Sequence, residues 1–484
     1  MSNSSNCSDR RLQDTQNRSR SRDLLVSAFF LGVGCLLGAG YLEAAEDHQI
    51  TEVDSAGAER AWQRGFDLQK AKQTDAAIEA YEEALSLDPD HVKALYEVGW
   101  SYWVLGRWAD VVTAWERVLS LEPNHPEVPR YIEEARTKKA LRDRLEQADA
   151  TAGAPEAVPR KEGDAVRLAL GGDTMMGSPL SNAGLPKNDG SELFAAYTDR
   201  MQAADIAFLN LEGALLDSGR SYKCPEETTK GCYAFRSPVH YVKNLSAAGV
   251  DVVSFANNHA NDYRETGRKS TTDALDKEGI AVAGPLDREV VLDVNGTKVG
   301  VLGFATSPLG GDLRDIPLAQ AMVSEMASKA DLVVVSFHGG AEGKAAQHVP
   351  IGPETFMGEN RGDLRAFTHA VVDAGADLVV GHGPHVLRGM EVYKERLIAY
   401  SLGNFVTYGG FNLSGANGLT VLLEVDLHPD GRLAGGTLVS GRQIAPGAPR
   451  LDPENESVSM IRSLSSADFP DTAPKIDDDG RISP

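Results

Sequence analysis

Five short apolar runs in this chain end in side chains that can hold a cation or move a proton. "VRLALGGD" ends at Asp173, "IAFLNLEG" runs to Glu212, "DVVSFANNH" to Asn258 and His259, "DLVVVSFHGG" carries His338, and "DLVVGHGPH" carries His382 and His385. In the last of these, Leu378, Val379 and Val380 read as a buried strand. Gly381, Gly383 and Pro384 then stop it, so two imidazoles sit on a rigid turn. Taken alone, that turn is either a surface loop with two histidines or a pair of metal ligands. The other runs bear on the choice, because ligands bind at the carboxyl ends of strands in open α/β sheets, where loops converge. Carboxylate, amide and imidazole groups meeting along that edge make a donor set for a divalent cation. Such a cation lowers the pKa of a water from about 15.7 toward 7 and supplies a nucleophile at neutral pH. Asp262 and Glu342 lie close in sequence to these positions and are either orienting partners or ordinary solvated carboxylates.

The elements that must position these groups begin at Val166. From there short apolar runs alternate with helix-like stretches, the pattern of an α/β sheet. "LIAYSLGNF" reads as one more strand ending in the same site. Ser401 within it has no strand-turn-helix elbow around it, which speaks against a serine nucleophile. "VVLDVNGTKVGVLGF" reads as a hairpin turning at Asn295-Gly296, and "LTVLLEVDLHPDGRLAGGTLV" as another turning at Pro429-Asp430-Gly431. Ahead of this domain, "RGFDLQKAKQTDAAIEAYEEALSLDPDH" is matched 34 residues later by "VGWSYWVLGRWADVVTAWERVLSLEPNH". Gly65 pairs with Gly99, Tyr81 with Trp115, Leu85 with Leu119 and Pro89 with Pro123. Period and positions resemble tetratricopeptide repeats, all-α helix pairs that bury a face only by stacking. "PEVPRYIEEARTKKALRDRLEQA" supplies the capping helix such an array needs. The chain then divides into residues 1–45, a repeat segment with its cap at 58–148, an Ala/Pro/Gly-rich linker at 149–164, the α/β domain at 165–447, and a polar acidic tail at 448–484 with one apolar patch around Met460.

"GGDTMMG", "NLEGAL", "FANNHANDYRETG", "SFHGGAEG" and "GHGPHVLRGMEVYKERLIAYSLGNF" occur in order over about residues 166–446, and the series resembles the CapA family of poly-γ-glutamate capsule synthesis proteins. That family is similar to the calcineurin-like metallophosphoesterases. The resemblance implies a four-layer α/β/β/α sandwich holding divalent metal (Mn, Zn or Fe) at its strand ends. It implies metal-ligand roles for Asp173, Glu212, Asn258, His338, His382 and His385, with Asn210 the weaker alternative to Glu212. It makes His259 the acid that protonates the leaving group. Two positions depart from the superfamily pattern. Met175 stands where Asp-x-His would put a histidine, and Glu212 where a bridging Asp is usual, so one metal is expected to bind firmly and the second is in doubt.

A net charge of −22 over 484 residues argues against a nucleic-acid partner. Five arginines precede "LLVSAFFLGVGCLLGAGYL", Leu24 to Leu42, a charge-free run just long enough to span a bilayer core, with Glu43, Glu46 and Asp47 beyond it. This reads as a membrane anchor with the body outside the cytoplasm, or as a signal peptide cut near Ala39 or Ala45. Of four cysteines, only Cys224 and Cys232 fall in that body. Their loop contains no histidine, so a disulfide suits it better than zinc. Two function classes follow. The first is a membrane-tethered, metal-dependent hydrolase acting on an envelope polymer or its precursor. The second is a non-catalytic polymer- or partner-binding component that docks through its repeats.

Overall fold

The computed structural model describes residues 53–151, 164–181, 183–224, 232–306 and 310–484. The apolar run Leu24–Leu42 and most of the linker expected at 149–164 lie outside them. Among the described residues no helix is long and apolar enough to cross a membrane.

Five helices open the described chain: Ser55–Lys70, Thr74–Leu87, Val92–Val104, Trp108–Leu121 and Val128–Thr151. The repeated glycines explain how they stack. A Cβ on Gly65 would lie 2.6 Å from the Tyr81 ring, and one on Gly99 only 2.1 Å from Trp115, so each hairpin closes by laying an aromatic ring on bare backbone. Tyr102 is buried, while Trp100 and Trp103 pack at the edge of an aromatic cluster with Trp115 and Tyr131. The fifth helix continues past the repeats to the α/β domain. Leu141 and Leu145 pack against Leu318, while Arg142 pairs with Asp315 at 2.7 Å and Arg144 with Glu325 at 3.0 Å.

The α/β domain is built on two facing sheets, one of ten strands and one of seven. Between them lies an apolar core that joins Leu168, Leu170, Phe208 and Val252 of the first sheet to Val301, Val334, Leu378 and Val380 of the second. The outer face of the first sheet is covered by helices Thr198–Ala203, Val242–Ala247 and Arg264–Lys277. Helices Ile316–Ala327 and Leu364–Asp373 cover the outer face of the second. The result is the expected α/β/β/α order of layers. Both expected hairpins form: Val290–Val294 with Thr297–Ala305, where Asn295 and Gly296 take positive φ, and Leu419–Leu427 with Leu433–Ile444.

A repeated aspartate sets the register of the parallel strands. Asp205, Asp251, Asp331 and Asp377 each precede an apolar run. Each donates its own N–H to a carbonyl on the neighbouring strand, and its carboxylate accepts an N–H from that same strand. The acceptor and donor are Arg167 for Asp205, Ala207 for Asp251, Lys298 for Asp331 and Val333 for Asp377, at 2.8–3.0 Å. A one-residue slip would break both bonds and turn every side chain to the other face. The same registers set Asp173 opposite Asn210 and His338 opposite His382, near the strand ends where the candidate ligands stand.

Two expectations need correction. "LIAYSLGNF" is not one strand. Arg396–Ala399 pairs with Leu378–His382 in the second sheet, whereas Asn404–Thr407 pairs with Val166–Met175 in the first. Gly403, at φ +63°, lets the chain cross between sheets beside the strand ends. Residues 448–484 are not a tail. Ala448–Leu451 extends the first sheet, helix Glu456–Asp468 places Val458 and Ile461 in the inter-sheet core, and Lys475–Ile476 with Arg481–Ser483 form the sheet edge. Glu454, Glu456, Asp471 and Asp477 to Asp479 between these contacts are exposed and mask the apolar spacing.

Candidate metal centre

The strand ends bring Asp173, Glu212 and His385 together. Each offers a donor atom, and the three atoms lie within 4.8 Å of one another. Asp173 lies two residues before the end of the strand Val166–Met175 and is fully buried. Its Oδ1 accepts from Asn210 Nδ2 at 2.8 Å and lies 3.6 Å from His382 Nδ1; its Oδ2 is 2.9 Å from His385 Nδ1. Burial works against the Asp173 carboxylate, but the hydrogen bond and charge of His385, with His338 and His382 beside it, outweigh that effect and hold its pKa below the usual range. His385 is the mirror case. Burial disfavours its charge, yet Glu212, Asp173 and Glu342 together raise its pKa. It sits at φ +57° on the turn that follows Gly383 and Pro384.

Glu212 is buried, and neither of its carboxylate oxygens has a hydrogen-bond partner. Its neighbours are His385 Nε2 at 3.7 Å and His259 Nε2 at 3.8 Å. Burial, with the charges of Asp173 and Glu342, pushes its carboxyl up to about 8, against the pull of His385. The other predicted ligands share this incompleteness. His382 has neither ring nitrogen hydrogen-bonded, His338 has a free Nε2, and Asn258 has a free Oδ1, all buried. Burial lowers the pKa of His338 well below normal and brings His382 to about 4, so both are neutral bases at pH 7. Buried polar atoms normally find partners. Several lone pairs left open around two carboxylates and neutral imidazoles are the donor set a divalent cation needs. The residues present therefore fit the implied metal.

His259 differs. Its Nδ1 is 2.7 Å from Asp262 Oδ2, and its backbone N–H donates to Asn257 Oδ1 at 3.1 Å. The bond to Asp262 leaves Nε2 directed toward Glu212. Desolvation lowers the His259 pKa, and Asp262 opposes the shift.

The profile of the bacterial capsule synthesis protein family PGA_cap matches residues 167–408, half of the chain. The chain belongs to this family. A tetratricopeptide-repeat profile matches residues 68–129. The capsule biosynthesis protein CapA of Bacillus anthracis is 31% identical over 271 residues, covering 51% of this chain and 61% of that one. The PGA biosynthesis protein CapA of Bacillus subtilis is 30% identical over 261 residues, covering 50% and 63%. The chain thus spans about three-fifths of the length of the curated relatives it matches. A purple acid phosphatase from yellow lupin is 8% identical, with a TM-score of 0.30, covering 59% of this chain and 52% of that one.

Within this PGA_cap domain, the structure shows what engages Met175 and the polar residues around the cluster, and it adds Asn257 to those the motifs singled out. Met175 is buried, and its Sδ accepts the Gly177 N–H at 3.2 Å, so its thioether is engaged by backbone. Asn210 is the bracket between motifs. It donates to Asp173, accepts from Asn257 Nδ2 at 3.2 Å and approaches His338 Nδ1 at 3.4 Å. Asn257, the first Asn of "NNH", was missed, although a doubled Asn before a His was a signal that both amides have work. Glu342 lies 4.0 Å from His385 Nε2 and is held by the buried Arg361 at 3.2 Å. Ser401 Oγ donates to Val386 O and accepts from Gly403 N–H, which makes it a brace for the sheet crossing. Asn404 stands in register with Asp173 and donates to His385 O at 3.3 Å.

Proposed function

We propose that this PGA_cap protein is a metal-dependent hydrolase, exported and tethered by Leu24–Leu42, that acts in the synthesis or processing of a capsule or envelope polymer of the poly-γ-glutamate type. The observation that carries the reading is the set of buried donor atoms without partners in Glu212, His338 and His382 around Asp173 and His385, with Asn258 Oδ1 likewise open. These six residues would hold one divalent ion firmly, drawn from Mn, Zn or Fe. That ion supplies Lewis-acid polarisation and a nucleophile at neutral pH. Asp173 and Glu212 contribute the negative charge that balances it. His338 and His382, kept neutral by burial, offer lone pairs without competing for protons.

His259 delivers the proton to the leaving atom. Asp262 fixes its tautomer by accepting from Nδ1, which keeps Nε2 on the side of the donor cluster. General acid help of this kind contributes about 10²–10⁴-fold. The Cys224–Cys232 disulfide supports an extracytoplasmic body, since such bonds persist in oxidising compartments. The repeats would dock protein partners of the envelope assembly.

Engagement of Met175 by backbone supports a second reading. With that position unable to serve as a ligand, the domain would bind polymer without turning it over. The test is turnover of a generic phosphodiester and of polyglutamate by the Mn²⁺- or Zn²⁺-loaded protein, with His259→Ala as control. Turnover lost in that variant while metal is retained supports the hydrolase. Metal bound with no turnover of either substrate supports the binding module. Protease added to cells with a permeable outer layer should digest the body, and complete protection would contradict export.

A further inference from the structure

The Cys224–Cys232 bridge joins two chain segments that meet on one residue, Asp262. On one arm, Tyr222 N–H and Ser221 Oγ both donate to the Asp262 carbonyl, at 3.0 and 3.1 Å, and Ser221 Oγ in turn accepts the Cys224 N–H. On the other arm, Phe235 N–H donates to Asp262 Oδ2 at 2.8 Å, the same oxygen that holds His259. The Phe235 ring lies over the His259 ring with centroids 4.2 Å apart. Phe235 is anchored where its carbonyl accepts the Ala214 N–H, two residues after Glu212. Lys223, between the arms, places Nζ 3.7 Å from Asp262 Oδ1. The Asp262 carboxylate that orients His259 is therefore hydrogen-bonded by one arm and the Asp262 backbone carbonyl by the other, and the apolar face that seats the ring is carried on the Phe235 arm.

We infer that the Cys224–Cys232 bridge, through Ser221 and Phe235, is a positioning device for His259, holding the imidazole in the orientation from which it serves the leaving group. The inference rests on the proton-donor reading of His259. Neither cysteine touches the donor cluster, so breaking the bridge leaves the metal ligands in place while letting the two arms separate. Misplacement of a catalytic group by about 1 Å can cost on the order of 10²-fold.

The test compares the metal-loaded full chain with Cys224→Ser/Cys232→Ser, Phe235→Leu and Ser221→Ala. Two phosphodiesters are used, one with a p-nitrophenolate and one with an alkoxide leaving group. An alkoxide needs the proton and p-nitrophenolate largely does not. The positioning role predicts unchanged metal content and KM, with kcat lowered about tenfold or more for the alkoxide and much less for the p-nitrophenyl ester. A merely structural bridge lowers both equally, or neither, and that result would overturn the inference. A second readout is independent of turnover. The Nδ1 proton of His259, identified by its loss in His259→Ala, should give a downfield NMR resonance in the parent and lose it in the cysteine variant. Its persistence in the folded cysteine variant would overturn the inference. Parent protein that turns over neither ester would refute the hydrolase reading, and this resonance would still decide the question of positioning. Phe235→Leu and Ser221→Ala keep the bridge and carry the same test if the cysteine variant does not fold.

Discussion

His382 and His259 are both buried at strand ends, and their nitrogens are used in opposite ways. His259 has Nδ1 fixed by Asp262, its backbone N–H by Asn257 and its face by Phe235. His382 has no hydrogen bond at either ring nitrogen, and the oxygens of Glu212 are in the same state. A group whose bonds are complete within the chain is held in one orientation and one tautomer, as a proton carrier must be. A set whose bonds are incomplete in the same low-dielectric setting costs stability unless another group completes it. The contrast separates the two proposed roles more clearly than residue type does, since both are histidines.

The largest expected effect comes from breaking the incomplete side. Asp173→Asn keeps the shape but removes the charge that His385, His338 and His382 surround. Metal analysis should find the ion gone, and turnover should fall to background. An unchanged metal content would mean that the cluster is not the site. Next comes the complete side. His259→Ala should retain metal and lower kcat by about 10²–10⁴-fold. Loss of metal in that variant would erase the distinction between the two regions.

A pH experiment sharpens the comparison. His382 has a folded-state pKa of about 4, below its ordinary value, because burial disfavours its charge. The unfolded chain therefore takes up the proton first as pH falls. The contribution is present above about 6.5, is lost between about 6.5 and 4, and amounts to at most about 3 kcal/mol. In chelator-treated protein, denaturant melts should show the parent losing more stability than His382→Gln between pH 7 and 4.5. Parallel losses would mean that His382 is not held neutral by burial. The smallest effect is on the loop. Cys224→Ser/Cys232→Ser should lower global stability by about 2–3 kcal/mol in the chain-entropy model, read as a lower denaturation midpoint. No change would show that the bridge does not constrain the unfolded chain.

Much of this contrast was legible in the sequence, because its carriers are local. Apolar runs ending in Asp, Glu, Asn or His announce both strand and candidate ligand, and the 34-residue spacing of Gly65/Gly99 with Tyr81/Trp115 announces helix pairs. The rest depends on contacts between distant segments. Asn210 and Asn257 hold motifs together across the sheet, yet in sequence each is one amide beside a more conspicuous residue. The role of Phe235 depends on a cross-link and a ring contact that no periodicity reveals. Residues 448–484 read as a tail because Val458, Ile461, Phe469, Ile476 and Ile482 are spread among charges. They are buried only once the sheets exist to receive them.

The most direct test of the central claim is the metal content of the unmodified full chain, purified with Mn²⁺ or Zn²⁺ present and measured by elemental mass spectrometry. The account predicts one tightly held divalent ion per chain that survives dialysis. A chain that binds none, while correctly folded, would contradict it.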